Sequence, residues 1–114
     1  MSVVSNLDEL EGFELAPGVR AKPLFGDGAM LNLLVFEANA SVAAHDHPHE
    51  QLGLVLEGLL VLRIDGVEHE LRPGDAYQIP GGIEHAAWTG DEGCRVLDVF
   101  HPVREDLRER FAGR

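Results

Sequence analysis

Short apolar runs, each bounded by Gly, Pro, Asp or Asn, divide most of this chain. Residues 18–26 (GVRAKPLFG) and 29–38 (AMLNLLVFEA) read as strands on either side of a GDG turn. Residues 41–45 (SVAAH) form a further short strand, and 51–58 (QLGLVLEG) and 59–65 (LLVLRID) follow, with Gly58 between them. Asp65-Gly66 carries the sharpest hairpin signal, because that dipeptide accepts the positive φ angles of a tight turn between two alternating runs. DAYQIP, EHAAWTG and CRVLDVFH complete a set of roughly eight or more short strands, the pattern of an all-β sandwich or barrel. Only the end departs from this. In PVREDLRERFAG, Val103, Leu107 and Phe111 recur at four-residue spacing behind Pro102 and acidic residues, which predicts one short amphipathic helix over about 103–112.

Length and composition narrow the reading further. A chain of 114 residues supports one domain, expected to span 1–114, with a single core. A net charge of −11 repels nucleic acid backbones and anionic lipid, so neither nucleic acid nor membrane is an expected partner. No apolar run approaches the ~20 residues that span a bilayer, and MSVVSNLDEL lacks the basic and apolar regions of a leader, so a cytoplasmic location is expected. Cys94 is the lone cysteine and reads as a packed side chain.

Chemistry concentrates in HDHPHEQLG, residues 45–53. Alternate residues of a strand share a face, so His45 and His47 are expected to point together into the barrel. Gln51 has their parity and Glu50 does not. His85, after the Pro80-Gly81-Gly82 turn, is a further candidate, with glycines that permit close backbone approach. Two in-phase imidazoles on an inward face either hold a metal or are satisfied by hydrogen bonds, since burying them unpartnered is costly. His69 reads as a hydrogen-bonded or surface residue, and His101, beside Pro102, as a non-ligand.

These residues resemble the cupin family. Its first motif, G(X)5HXH(X)3–4E(X)6G, falls on Asn39, His45, His47, Gln51 and Gly58 (39–58), with every interval kept. Its second, G(X)5PXG(X)2H(X)3N, falls on Gly74, Pro80, Gly82, His85 and Thr89 (74–89). The resemblance implies a double-stranded β-helix, or jelly-roll barrel, holding one divalent transition metal (Zn, Ni, Fe, Mn or Cu). Three departures stand out. Asn39 replaces a glycine but tolerates a left-handed backbone, Thr89 replaces an asparagine, and Gln51 replaces the acid. Three imidazoles and an amide form a neutral ligand set, which leaves the full charge of a dication to act as a Lewis acid on an anionic ligand.

HPHEQ together with LDVFHPVREDL is similar to the KdgF-like branch of cupins, which linearise 4,5-unsaturated uronate monosaccharides released by polysaccharide lyases. Carried over by position, that likeness implies His45, His47, Gln51 and His85 as metal ligands and Asp98, Phe100 and Arg104 as substrate-handling residues. It also implies an anionic sugar as substrate and a homodimer, to which edge strands and the N-terminal segment would contribute. Each handling residue has a plainer reading: Asp98 as a partner of Arg95 or Arg104, Phe100 as core, Arg104 paired along the helix with Glu105 or Glu109. Tyr77 and Trp88 either line the pocket or pack. A metal-dependent dioxygenase and a non-enzymatic ligand-binding cupin are the competing functions.

Overall fold

The structure is a computed structural model that describes residues 3–114; Met1 and Ser2, at the start of the stretch read as leader-free, lie outside it. Among the described residues, ten strands and one α-helix follow in order: β1 (Phe13–Ala16), β2 (Val19–Phe25), β3 (Met30–Phe36), β4 (Ser41–His45), β5 (Glu50–Gly58), β6 (Leu60–Ile64), β7 (Val67–Leu71), β8 (Ala76–Ile79), β9 (His85–Trp88), β10 (Cys94–His101) and α1 (Glu105–Ala112). They build two antiparallel sheets, β1-β2-β3-β10-β5-β8 and β4-β9-β6-β7. Val19, Leu34, Phe36, Val55, Leu60, Leu62, Ile79 and Val96 are buried in one cluster. This is the all-β jelly-roll expected from the strand spacing and the motifs.

Local chemistry explains the turns. Asp65 (φ 49) and Gly66 (φ 80) are both left-handed and bring Val67 back opposite Ile64. Gly58 (φ 81) joins β5 to β6 where a Cβ would sit 1.9 Å from the Gly93 carbonyl oxygen, so no side chain fits there. Asn39 (φ 56) takes the left-handed conformation of the glycine it replaces. Thr89 closes the same corner: its hydroxyl donates to the Glu37 carbonyl at 2.6 Å and accepts from the Ala40 N–H at 3.1 Å.

Two expectations are corrected. The helix starts at Glu105 rather than near 103, because Arg104 keeps an extended backbone (φ −79, ψ 100) while Val103 is already buried in the core. The N-terminal segment is partly used within the subunit. Its Phe13–Ala16 pairs with β2, and a short 3-10 turn at Leu7–Glu9 is tied to the outer sheet face by Lys22 Nζ on the Asp8 carbonyl (2.7 Å) and an Arg95–Asp8 ion pair.

Candidate metal centre

The three candidate histidines come from three different places in the backbone. His45 is the last residue of β4, and His85, the first of β9, stands directly opposite it, with ring centroids 4.4 Å apart. His47 is not on their strand. β4 ends at His45, and His47 belongs to the four-residue loop before β5, so strand alternation is not what aims it. The second motif does that instead. The Gly82 N–H donates to the His47 carbonyl at 2.8 Å, and Gly81 lies so close that a Cβ there would be 2.2 Å from the Pro48 carbonyl oxygen. The Pro-Gly-Gly turn thus seats the loop that carries the third imidazole.

One nitrogen of each ring is fixed by a nearby carbonyl. His45 Nδ1 lies 2.8 Å from the Ala43 oxygen, His47 Nδ1 3.1 Å from the His49 oxygen and His85 Nδ1 2.9 Å from the Ile83 oxygen. Carbonyls only accept, so each Nδ1 carries its proton and each Nε2 keeps a free lone pair. The ligand atoms of the three rings lie within 4.8 Å of one another. His85 Nε2 is buried with no partner. Burial, with the charges of Arg104 and the other histidines, lowers the pKa of His47 to about 4, and burial likewise lowers that of His85. Neutral imidazoles are the form that binds metal.

Gln51 completes the group through β5 alternation: it is buried while Glu50 faces solvent opposite His101. Its amide nitrogen donates to Asp98, which turns Oε1 toward His47 Nε2, 3.1 Å away. Two lone pairs therefore face each other across that gap. Together with the orphaned His85 nitrogen, this acceptor-only cluster fits a cation, which His45, His47, His85 and Gln51 would hold.

Beside the histidines, the six-stranded sheet presents a polar row. Register aligns Pro23, Asn32, Asp98, Gly53 and Tyr77 across β2, β3, β10, β5 and β8. Gly53 leaves room for the Tyr77 ring, since a Cβ there would meet Cζ at 2.0 Å, and the Tyr77 hydroxyl reaches over it to donate to Asp98 Oδ1 at 2.5 Å. Asp98 is 1% exposed. Burial pushes its pKa up to about 6, against the opposing pull of the Tyr77 and Gln51 donors and the Arg104 charge. Burial and the Asp98 carboxylate raise the Tyr77 pKa well above 10, so the phenol keeps its proton.

The remaining sequence candidates fall into place around this row. Phe100 is buried with its ring edge-on to His47 (centroids 5.5 Å) and under the Arg104 guanidinium (5.0 Å). Arg104 lines the same cavity, but its ion-pair partner is Asp106 (Nη2–Oδ2 2.7 Å, Nε–Oδ1 3.3 Å) rather than Glu105 or Glu109. Burial opposes ionisation of Asp106, yet Arg104 outweighs it and holds that carboxyl below its usual range. Arg95 pairs with Asp8 and Glu57, not Asp98. Tyr77 lines the cavity, whereas Trp88 stacks with Arg63 away from it. Cys94 is buried, and burial lifts its pKa to about 11. Asn32, also in the cavity wall, was not singled out from the sequence; an amide interrupting MLNLLVF was the available signal.

The cavity offers about 50 Å³ to solvent-sized groups and is only partly enclosed. Its wall is polar on the Gln51–Asp98–His85 side and apolar where Leu34, Phe36, Leu60 and Val96 line it.

Known proteins share this architecture. The cupin domain family profile matches residues 32–100. The pectin degradation protein KdgF of Dickeya dadantii is 31% identical over 102 residues, covering 88% of this chain and 93% of that protein. Dimethylsulfoniopropionate lyase DddW of Ruegeria pomeroyi is 39% identical over 83 residues, 72% of this chain; the chain spans only 55% of that protein. The solved structure of KdgF from Halomonas sp. superposes with a TM-score of 0.85 at 27% identity, covering 94% of this chain and 99% of that one. With the jelly-roll, both histidine motifs and a profile match over more than half its length, the chain belongs to the cupin family, where its likeness runs to the KdgF branch.

Proposed function

We propose that the protein is a metal-dependent enzyme that linearises 4,5-unsaturated uronate monosaccharides. The observation that carries this reading is Asp98: a buried carboxylate in the cavity wall with its pKa raised to about 6, one hydrogen bond from the Gln51 amide and one from the protonated Tyr77 phenol. Opening the ring of such a sugar removes the proton of the anomeric hydroxyl, breaks the bond from the anomeric carbon to the ring oxygen, and returns a proton to C4. The net change is an isomerisation from enol to ketone. Asp98 suits both proton steps, since a pKa of about 6 lets it take and give a proton near pH 7. Tyr77 holds the carboxylate in place. Arg104 would release Asp106 to pair with the sugar carboxylate, and Phe100 would give the ring an apolar wall. A bound ion supplies Lewis-acid stabilisation of oxygen charge, undiminished by an anionic ligand in the neutral His3Gln set.

The test follows the conjugated double-bond absorbance of 4,5-unsaturated galacturonate with metal-loaded protein. Decay well above the spontaneous rate supports the proposal; decay at the spontaneous rate with every candidate ion refutes it. A second reading, elimination from a small carboxylate substrate such as dimethylsulfoniopropionate, is favoured by the DddW likeness. It predicts acrylate and dimethyl sulfide instead. Oxygen uptake with small phenols, diketones and thiols would point to the dioxygenase alternative, and ligand binding without turnover to a binding cupin.

A cytoplasmic homodimer is part of the proposal, through the outer face of the six-stranded sheet. Cross-strand neighbours there, Leu24–Leu31–Val99–Leu52–Gln78 and Leu97–Leu54–Ala76, carry no acidic residue in a chain with 20 of them. Leu24, Leu52 and Leu54 remain 39%, 45% and 37% exposed. Copies with a charge of −11 repel elsewhere, so a second copy meets this face at least electrostatic cost. Light scattering should give a dimer that Leu52→Glu with Leu54→Glu converts to monomer; a wild-type monomer at micromolar concentration refutes the interface. Among the described residues no helix is long and apolar enough to cross a membrane.

A further inference from the structure

The inward-facing positions of β3 are Met30, Asn32, Leu34 and Phe36, and Asn32 alone of them is polar. It is 1% exposed, it lines the cavity, and its Oδ1 is enclosed without a hydrogen-bond partner. Its neighbours in the row do not satisfy that oxygen. Pro23 has no polar side-chain atom, and the Asp98 carboxylate, itself an acceptor, is taken by Tyr77 and Gln51 from the other flank. A buried amide oxygen with nothing to accept from is unfavourable, and leucine, as at position 34, would pack at less expense. The spare acceptor therefore stands ready for a donor that arrives with the ligand.

We propose that Asn32 is a ligand-positioning residue whose side-chain oxygen accepts a hydrogen bond from a hydroxyl of the bound molecule, so that the site prefers a hydroxylated carboxylate to a bare one. This rests on the reading above only in that the ligand is anionic and lies between the metal group and Arg104. A site built around a buried acceptor rejects ligands that leave it unpaired. The preference acts against small unsubstituted carboxylates, which would otherwise reach the same cation.

Calorimetry with metal-loaded wild type and Asn32→Leu reads this directly, using D-galacturonate and cyclohexanecarboxylate as probes. Wild type should bind galacturonate about tenfold or more tightly than cyclohexanecarboxylate. Asn32→Leu should abolish that preference by weakening galacturonate about tenfold, with metal content unchanged and cyclohexanecarboxylate affinity held within about twofold. Asn32→Ser, which shortens the reach of the polar group, reads the same preference if the leucine variant does not fold. A preference that survives substitution, an equal loss for both probes, or no preference in wild type overturns the proposal. Preference without sugar linearisation would sink the proposed reaction alone; linearisation by wild type with no preference would sink the role of Asn32 alone.

Discussion

Replacing Asp98 by Asn should stabilise the metal-free protein and abolish turnover by the metal-loaded one. The buried carboxyl has its pKa raised from an ordinary 3.8 to about 6. Keeping it ionised inside the fold at pH 7.5 therefore costs about 3 kcal/mol relative to the unfolded chain. The sign follows from the direction of the shift. The folded state binds the proton more tightly, so wild-type stability falls as pH rises from 3.8 to 6, and the loss is complete above that window. An amide at position 98 never ionises, still offers an oxygen to Tyr77, and can donate to Gln51 once that amide turns its own nitrogen to the His47 lone pair, so the variant escapes the penalty. The stability gap between variant and wild type should be about 3 kcal/mol at pH 7.5, roughly half that at pH 5, and nearly gone at pH 4. For a domain of this size the neutral-pH gain is roughly 10 °C in Tm. Urea unfolding of both proteins in chelator at the three pH values measures it. A gap that is absent at pH 7.5, or constant with pH, would refute the claim that Asp98 is held against its own solvation.

Further perturbations separate the parts of the site. Gln51→Glu restores the common cupin ligand but sets a second carboxylate against Asp98; metal should be retained more tightly, while the metal-free protein melts lower and the pH optimum for turnover rises, as melting curves with and without chelator and a pH–rate profile would show. Gly53→Ala places a Cβ 2.0 Å from Tyr77 Cζ, so unfolding measurements should show a loss of about 1–3 kcal/mol and kinetics a loss of turnover with near-normal metal content. His85→Ala deletes the imidazole whose nitrogen is orphaned; elemental analysis should find bound metal reduced at least tenfold. Because burial lowers the His47 pKa to about 4, metal-free stability should otherwise rise with pH between about 4 and 6.5, a slope that Asp98→Asn makes steeper.

Much of the fold was legible because its signals are local. Asp65-Gly66 needs only its own φ angles to mark a hairpin, and Asn39 stands in for glycine through its own tolerance of the left-handed region. The histidine spacing likewise pointed to the three imidazoles that converge. What escaped depends on contacts distant in sequence. His47 has the right spacing for a strand, yet a loop held by Gly81 and Gly82 carries it inward. Asn32, Asp98 and Tyr77 share a row only through the register of four strands, with Gly53 as the gap, and no window of sequence contains them all. The strand at Phe13–Ala16 is four residues long with a glutamate inside, too brief to show alternation until β2 supplies its partner.

The carbonyls of Ala43, His49 and Ile83 each accept from one ring nitrogen and so orient the three rings through the backbone. The barrel's apolar cluster draws on none of these histidines. Core and ligand cradle are therefore built from separate contacts, so removing a cation should leave the chain's packing in place. Unlike a zinc finger, this domain should lose its ion to a chelator and keep its β-sheet circular dichroism.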